Sequence, residues 1–238
     1  MLESGAMTPT LWLASNSPRR RQLLGLTGWS FLTRPVDIDE SPLPGEDPSA
    51  YVLRLAEAKA RAACASVSSG DLILASDTTV ADGARILGKP VDAEDARQML
   101  RDLRGREHRV YTAISAAGAR CGRLATDLCF TRVWMRDYSD AEIEDYIDSG
   151  DPFDKAGGYA IQHPQFRPVE RLEGCYACVM GLPVCHVVRL LVSFGLPVPQ
   201  NDVTAACPEH LGMDTPCPVH EHILRQDPGG TPARQPWN

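Results

Sequence analysis

The chain alternates short apolar segments with capped helix starts, and this alternation is the feature that most constrains its fold. The segments LWLAS and DLILAS (71–76) are short, apolar and typical of buried strands. Ser17 and Asp47 are each followed by proline, a pairing that predicts an N-cap and the first helical residue, with the second helix running over about 49–65. Strands and helices interleaved in this way predict an α/β or α+β fold with a mixed sheet.

The later elements continue the same pattern. A helix is predicted over about 92–104, followed by strands in EHRVYTAISAAG and LATDLCFTRVWMRDYS. Ser139 and Glu142 form a capping box that begins another helix. A further strand pair and a helix over about 182–194 complete the folded part. Residues 198–238 are rich in Pro, Gly and Thr, and we expect a loosely ordered extension there.

Three consecutive arginines stand where the first helix begins, in SNSPRRRQLL. Arg19 and Arg20 fall in the first turn, where unpaired N–H groups and the helix dipole already create positive charge. Two interpretations remain open. The arginines extend into solvent or pair with some of the 31 acidic residues, or they join the helix N–H groups in a phosphate site.

Charge and hydropathy limit the function classes. A formal net charge of −7 argues against a general nucleic-acid binder or membrane-surface protein, so a polyphosphate ligand would need locally concentrated cations. The segment MLESGAMTPT lacks the basic-then-apolar pattern of a signal peptide, and no apolar run reaches about 18 residues. We therefore expect a cytoplasmic protein.

Two charged residues stand in apolar contexts. Helical spacing places Lys59 on the same face as Val52 and Leu55, so it either snorkels at the edge of that apolar stripe or reaches an anion in a cleft. Asp77 directly follows the apolar strand DLILAS, and the carboxyl ends of strands collect ligand sites in α/β sheets. Asp77 either caps a turn or acts as a metal ligand or proton acceptor.

Three further features are weak individually. Lys89 lies in a tight Gly-Lys-Pro loop, and Glu40 lies in VDIDES; both patterns are common at protein surfaces. The segment GDPFDKAGGYAIQ carries Lys155 and Gln162 among three glycines, which serve turns as readily as ligand sites. It does not match a Walker loop, and no GxGxxG follows a strand.

Taken in order, SNSPRRRQLL, the helix carrying Lys59, ASDTTV, GKP and DKAGGYAIQ followed by VMGLP resemble the Maf family of nucleoside triphosphate pyrophosphatases over residues 10–197. The resemblance implies an α/β fold related to the inosine triphosphate pyrophosphatases. In that fold a mixed, elongated central sheet is flanked by helices, and a cleft separates two lobes. It also implies that a homodimer is the expected oligomeric state. Residues 198–238 lie outside this domain.

The resemblance implies roles for individual residues. Asp77 matches the proton acceptor, Glu40 an acidic position near the metal and substrate, and Arg20, Lys59 and Lys89 the phosphate contacts. Asp77 and Glu40 are then the candidate ligands of a divalent cation, Mg²⁺ or Mn²⁺. Ser15 in the first motif and Lys155 in the glycine-containing segment are added as candidate substrate-binding residues.

Three positions that differ between Maf subgroups correspond to Arg19, Thr78 and Gln162. Arg, Thr and Gln at these places resemble the subgroup that acts on dTTP and UTP, whereas the subgroup that acts on 7-methyl-GTP carries Trp, Gln and Glu. The implied reaction cleaves the α–β phosphoanhydride to give a nucleoside monophosphate and pyrophosphate. The order of preference among dTTP, UTP, CTP and modified nucleotides depends on single hydrogen bonds and does not follow from the sequence. The alternative function is a nucleotide-binding regulator of cell division or septum formation that does not hydrolyse its ligand.

The eight cysteines do not form an evenly spaced framework, so we expect mostly reduced thiols. Cys175 and Cys178 have the spacing of metal ligands, and Cys207, Cys217 and His220 lie in the extension. Two interpretations remain open: a structural zinc or iron–sulfur site drawn from these five residues, or small side chains packed in the core.

Overall fold

The fold of the chain comes from a computed structural model, which describes residues 9–68, 70–118, 122–213 and 217–225. The elements occur in the order β1 (Leu11–Leu13), α1 (Pro18–Gly25), β2 (Phe31–Thr33), α2 (Pro48–Cys64), β3 (Leu72–Asp82), β4 (Arg85–Leu87), α3 (Ala93–Leu103), β5 (Glu107–Gly118), β6 (Leu124–Met135), α4 (Asp140–Asp148), β7 (Val169–Glu173), α5 (Tyr176–Val179), α6 (Val184–Ser193), α7 (Val203–His210) and α8 (His220–Leu224). Two 3₁₀ turns, Asp151–Asp154 and Ala156–Gly158, lie between α4 and β7.

Local capping signals determine where the helices begin. The side chain of Ser17 accepts a hydrogen bond from the backbone N–H of Arg20, and that of Asp47 accepts from Ser49 and Ala50. The capping box of Ser139 before α4 is fully formed. These contacts satisfy N–H groups that the first helical turn leaves without a partner, so the predicted helix starts are confirmed.

The sheet has seven strands in the order β2-β1-β3-β5-β6-β7, with β4 paired to β3. Strand β1 runs parallel to β2 and β3, and the other pairs are antiparallel, which confirms the predicted mixed α/β sheet. Because β1 is only three residues long, it pairs with Leu72–Leu74 alone, and β4 pairs with Val80–Asp82. Among the described residues, no strand pairs with this edge of β3 between the two pairings, which leaves a free edge, and a cleft opens there.

Two predicted elements differ from the structure. Strand β3 continues well past residue 76, so Asp77 lies inside the strand rather than after its end, because β5 pairs with β3 along almost its whole length. The predicted strand pair before α6 is one strand, β7, and a short helix, α5. Gly174 turns the chain with a φ of +133°, and the N–H of Cys175 donates to the side chain of Thr131 instead of extending the ladder.

Apolar side chains form two large clusters on either side of the cleft. The first contains Leu13 and Leu23 with residues of α5, α6 and the C-terminal extension. The second contains Val80, Leu100 and Tyr146 with other residues of β4, α3 and α4. Helix α2 covers the opposite face of the central strands through smaller clusters that include several alanines. This arrangement agrees with the expected cleft between two lobes.

The sequence predicts a loosely ordered segment over residues 198–238, but its described part contains two helices, and residues 214–216 and 226–238 lie outside the described residues. Helices α7 and α8 pack against α6, and Val203, Cys207, Val219 and Ile223 are buried. The side-chain amide of Asn201 also donates to the carbonyl of Leu26 at 3.1 Å. The difference arises because a few well-spaced apolar residues are enough to dock a segment whose average composition is polar.

Candidate active site

The cleft encloses a cavity of about 710 Å³ at the free edge of β3. Successive residues of a strand point to opposite faces, so Asp77 and Thr78 border the cavity from the two faces of the sheet. Strand β3 thereby brings two chemically different groups to one cavity, whose volume is that of a typical small-molecule site.

A buried lysine joins two carboxylates at one end of the cavity. Lys59 extends from α2, and its Nζ lies 2.6 Å from Asp77 Oδ1 and 2.6 Å from Glu40 Oε1. Lys59 and Asp77 are buried, whereas the Glu40 side chain is half exposed. The hydroxyl of Tyr51 donates to the backbone carbonyl of Glu40 at 2.8 Å and so fixes the loop that carries it. The snorkelling interpretation of Lys59 is therefore wrong, because its ammonium group is held inside the cleft.

Burial and neighbouring charges oppose each other at these carboxylates. Burial raises the pKa of Asp77 above its ordinary value, against the opposing effects of Lys59 and Arg20. Burial also disfavours the ionised form of Glu40, but the hydrogen bond from Lys59 and nearby positive charges outweigh it and lower the pKa of Glu40. The second carboxylate oxygen of Asp77 accepts no hydrogen bond from the residues that the structure describes. Asp77 thus retains an acceptor for a ligand or water.

The guanidinium group of Arg20 binds the backbone of two other segments. Its Nε donates to Gly181 O at 3.1 Å, and its two Nη atoms donate to Ser76 O at 2.7 Å and Thr78 Oγ1 at 3.3 Å. Arg20 thereby ties α1 to β3 and to the turn after α5. Two of its five N–H groups remain for a ligand. The solvent interpretation of this arginine is wrong, and a phosphate contact from it stays a prediction.

Arg19 and Lys89 line the cavity without a direct hydrogen bond or ion pair to a described residue. Ser15 is buried nearby, and its hydroxyl accepts a hydrogen bond from the N–H of Ser17 at 3.1 Å. The two free cations lie where an anionic ligand in the cavity would meet them.

Lys155 also borders the cavity, but its ammonium group is engaged by its own loop. Its Nζ donates to Asp151 O at 2.6 Å, Asp151 Oδ1 at 2.9 Å and Asp154 Oδ1 at 2.5 Å. These three acceptors use all three N–H donors. A contact with substrate would require Lys155 to exchange one of these bonds, so its substrate-binding role stays a prediction.

The remaining part of the cavity is more apolar. Its lining includes Val179, Met180 and Ile161, together with the exposed side chain of Gln162. Sequence reasoning does not identify Tyr51, Ser76, Thr112 or Gly181 as parts of this region. Tyr51 lies eight residues before Lys59 on α2, so helical spacing is a usable signal for it. The other three are recognisable only once strands and turns distant in sequence are brought together.

The two carboxylates that contact Lys59, Asp77 and Glu40, are the oxygen ligands that a divalent cation would use here. In the part of the chain that the structure describes, no group of three or more His, Cys, Asp or Glu side chains is placed to hold a metal ion. Two carboxylates that border one cavity nevertheless fit Mg²⁺, which is commonly bound by one or two carboxylates together with phosphate oxygens and water. Asp77 and Glu40 therefore remain the candidate ligands.

The four cysteines of the predicted structural metal site are buried and carry free thiols. Cys129, Cys175, Cys178, Cys185, Cys207 and Cys217 are free and buried, and Cys64 is disulfide-bonded. The thiol of Cys178 donates to the carbonyl of Cys129 at 3.4 Å, and His220 Nδ1 lies 2.5 Å from the carbonyl of Cys217. A zinc or iron–sulfur site at Cys175, Cys178, Cys207, Cys217 and His220 stays a prediction.

Comparison with known proteins identifies the class of protein to which this fold and cavity belong. Residues 10–194 match the family described as Maf-like protein. The chain belongs to the Maf family.

Several individual proteins are similar to this chain over most of its length. A protein from Anaeromyxobacter dehalogenans named dTTP/UTP pyrophosphatase is 47% identical over 200 residues, which cover 81% of this chain and 98% of the relative. A protein of the same name from Thermomicrobium roseum is 50% identical, covering 81% of this chain and 88% of the relative. One from Chromobacterium violaceum is 48% identical, covering 79% of this chain and 96% of the relative. The solved Ham1 protein of Staphylococcus aureus is 15% identical with a TM-score of 0.37, covering 54% of this chain and 72% of that chain.

Proposed function

We propose that this protein hydrolyses dTTP and UTP at the α–β phosphoanhydride, releasing the nucleoside monophosphate and pyrophosphate. Relatives that carry this activity in their names match about four fifths of the chain at 47–50% identity. The observation that carries the proposal is the Lys59 ammonium group shared by Asp77 and Glu40 in a cavity that also exposes Arg19 and Lys89.

Asp77 is the residue that we assign to the attacking water. Its free oxygen is available to accept a proton, and its raised pKa makes it a stronger base than an ordinary aspartate. Lys59 keeps this buried carboxylate ionised by donating to its other oxygen. Water attack at the α phosphorus then breaks the bond to the pyrophosphate, and the proton passes from water to Asp77.

Cations neutralise the charge that develops on the leaving pyrophosphate. Lys59, Lys89 and Arg20 are assigned to phosphate oxygens, with Ser15 and Lys155 as further polar contacts. Asp77 and Glu40 would hold Mg²⁺ or Mn²⁺, and such an ion supplies additional charge neutralisation at the phosphates when bound. In this assignment Glu40 binds near the metal and substrate and takes no part in the proton transfer.

We assign the more apolar part of the cavity to the nucleobase. Val179, Met180 and Ile161 provide apolar surface there, and Thr78 and Gln162 provide polar atoms, a combination suited to a flat ring with a polar edge. Arg19, at the start of α1, completes the three positions that we assign to base selection.

Pyrophosphate release tests the proposal. The purified protein is supplied with dTTP, UTP, CTP or 7-methyl-GTP and Mg²⁺ or Mn²⁺, and wild type is compared with Asp77→Asn. Asp82→Asn is the matched control, because Asp82 lies on the same strand but pairs with Arg106 outside the cavity. We expect turnover of dTTP and UTP that is lost on the order of 10²-fold or more in Asp77→Asn and kept in Asp82→Asn.

Other outcomes would exclude parts of the proposal. Full turnover in a folded Asp77→Asn protein would refute the role of Asp77, and preference for 7-methyl-GTP would refute the base assignment. Nucleotide binding without turnover would favour the non-hydrolysing regulator of cell division or septum formation.

For the protein's partners and its location in the cell, we propose only the class of ligand. We propose a nucleoside triphosphate as the ligand, and no helix among the described residues is long and apolar enough to cross a membrane. The homodimer and the cytoplasmic location stay predictions.

A further inference from the structure

On the face of the sheet that carries the Thr78 side chain, a row of hydrogen-bonded groups runs from the cavity into the protein. Arg20 Nη2 donates to Thr78 Oγ1, which lies 2.9 Å from Thr112 Oγ1 on the neighbouring strand β5. Thr112 Oγ1 in turn lies 2.7 Å from the backbone carbonyl of Cys178. Thr78 and Thr112 are directly opposite each other in the β3–β5 pairing, so their contact follows from strand register.

The direction of each hydrogen bond in this row is determined by counting protons. A carbonyl oxygen only accepts, so the single hydroxyl proton of Thr112 is used on Cys178 O. Thr112 therefore accepts in its contact with Thr78, and Thr78 must donate. The single hydroxyl proton of Thr78 thus points into the protein, away from the cavity.

Thr78 consequently presents only an acceptor to a ligand. A hydroxyl oxygen has two lone pairs, and Arg20 occupies one of them, which leaves one for the cavity that Thr78 lines. Among the described residues, the Thr78 hydroxyl is hydrogen-bonded to Arg20 Nη2, which can only donate, and to Thr112 Oγ1, so Thr112 receives its proton.

We infer that Thr112 is a positioning residue that fixes the hydroxyl of Thr78 as an acceptor, so that the site selects pyrimidine rings with an N3–H group, uracil and thymine, over cytosine. We place N3 of the base against Thr78: uracil and thymine donate from N3, whereas cytosine has a lone pair there and would face a second lone pair. The inference rests on the proposed function, because it places the base beside Thr78. Gln162 does not make this distinction, since its amide offers both a donor and an acceptor.

Binding of nucleotide analogues tests the inference separately from turnover. Dissociation constants of α,β-methylene-UTP and α,β-methylene-CTP are measured by calorimetry with Mg²⁺ for wild type, Thr112→Val, Thr112→Ser and Thr131→Val. Thr131→Val is the matched control: Thr131 is buried on β6 and donates to the carbonyl of Cys175 at 3.0 Å, as Thr112 donates to that of Cys178.

We expect wild type to bind the UTP analogue about tenfold more tightly, the usual effect of one mismatched buried hydrogen bond. Thr112→Val frees the Thr78 proton to turn toward the cavity, and the ratio of the two affinities should fall to within about threefold. Thr112→Ser keeps the hydroxyl and should restore the wild-type ratio, while Thr131→Val should leave it unchanged.

The opposite results would overturn the inference. Equal binding of both analogues by wild type, or an unchanged ratio in Thr112→Val, would show that the Thr78 hydroxyl does not select the base. If Thr112→Val does not fold, Thr78→Val decides the question, since loss of the acceptor must weaken the UTP analogue more than the CTP analogue. Pyrophosphate release by wild type, measured in parallel, reports on the proposed function whatever the affinity ratio is.

Discussion

Replacing Lys59 by methionine should separate two effects of the same ammonium group. Lys59 Nζ is 2.6 Å from Asp77 Oδ1, and the pair is buried. A charge-assisted hydrogen bond of this kind contributes about 2 kcal/mol, so its loss should leave Asp77 about thirtyfold less ionised at a given pH. Because the removed charge favoured the carboxylate, the pKa of Asp77 must rise further above its ordinary value.

The consequence is a shift in the pH profile of kcat/KM for UTP. If ionised Asp77 is the base, activity in Lys59→Met should decline at higher pH than in wild type on the acidic side, and alkaline pH should restore part of it. The lost phosphate contact adds a decrease that pH does not restore. From these two effects together, we expect kcat/KM of Lys59→Met at neutral pH to decrease on the order of 10²–10³-fold.

Lys89→Met is the control for this experiment. Lys89 lines the cavity but is not among the charges that determine the pKa of Asp77. Its loss should lower kcat/KM without moving the acidic side of the profile. An acidic side that stays in place in Lys59→Met, or moves to lower pH, would refute the assignment of Asp77 as a base held ionised by Lys59.

Two further changes test packing and buried charge. Burial lowers the pKa of His108 from 6.5 to about 4. The free energy of unfolding should therefore be fully retained above about pH 6.5 and fall by roughly 3 kcal/mol as pH drops toward 4. Urea unfolding measures this dependence, and His108→Gln should flatten it. Gly181→Ala should reduce the free energy of unfolding by about 1–3 kcal/mol and raise KM, since φ is +100° and a Cβ would lie 3.1 Å from Thr78 Oγ1.

Each of these changes has its own control. Wild-type stability that is flat from pH 6.5 to 4 would contradict the neutral, buried state of His108. Gly45 also has a positive φ, of +70°, but a Cβ at this residue would meet no atom within 4 Å, so Gly45→Ala isolates the backbone contribution. Equal losses of stability in Gly45→Ala and Gly181→Ala would contradict the steric argument at Gly181.

Features determined by neighbouring residues can be predicted from the sequence. The N-caps at Ser17 and Asp47 and the box at Ser139 depend on side chains two or three residues from their partners, and the structure confirms them. The position of Lys59 on the apolar side of α2 follows from helical spacing alone. The resemblance places Asp77 and Glu40 in one site, and both contact Lys59.

Features determined by distant pairing cannot be predicted in this way. The partners of Arg20 include a carbonyl 161 residues away, and nothing near Arg20 in the sequence indicates a bond to Gly181. The length of β3 depends on pairing with β5, which is why the apolar run DLILAS by itself predicts a strand that ends before Asp77. For the extension, average composition does not show that Val203 and Ile223 reach the core.

The free edge of β3 also bears on how such a protein can change its substrate. Asp77 and Thr78 are joined by one peptide bond, yet the pleat directs them to opposite faces of the sheet. Under the proposed assignments, the bond that is broken and the base that is recognised are separated by a single step along a rigid strand. We therefore expect residue 78 to be exchangeable for a new base preference while the hydrolytic apparatus around residue 77 is inherited intact.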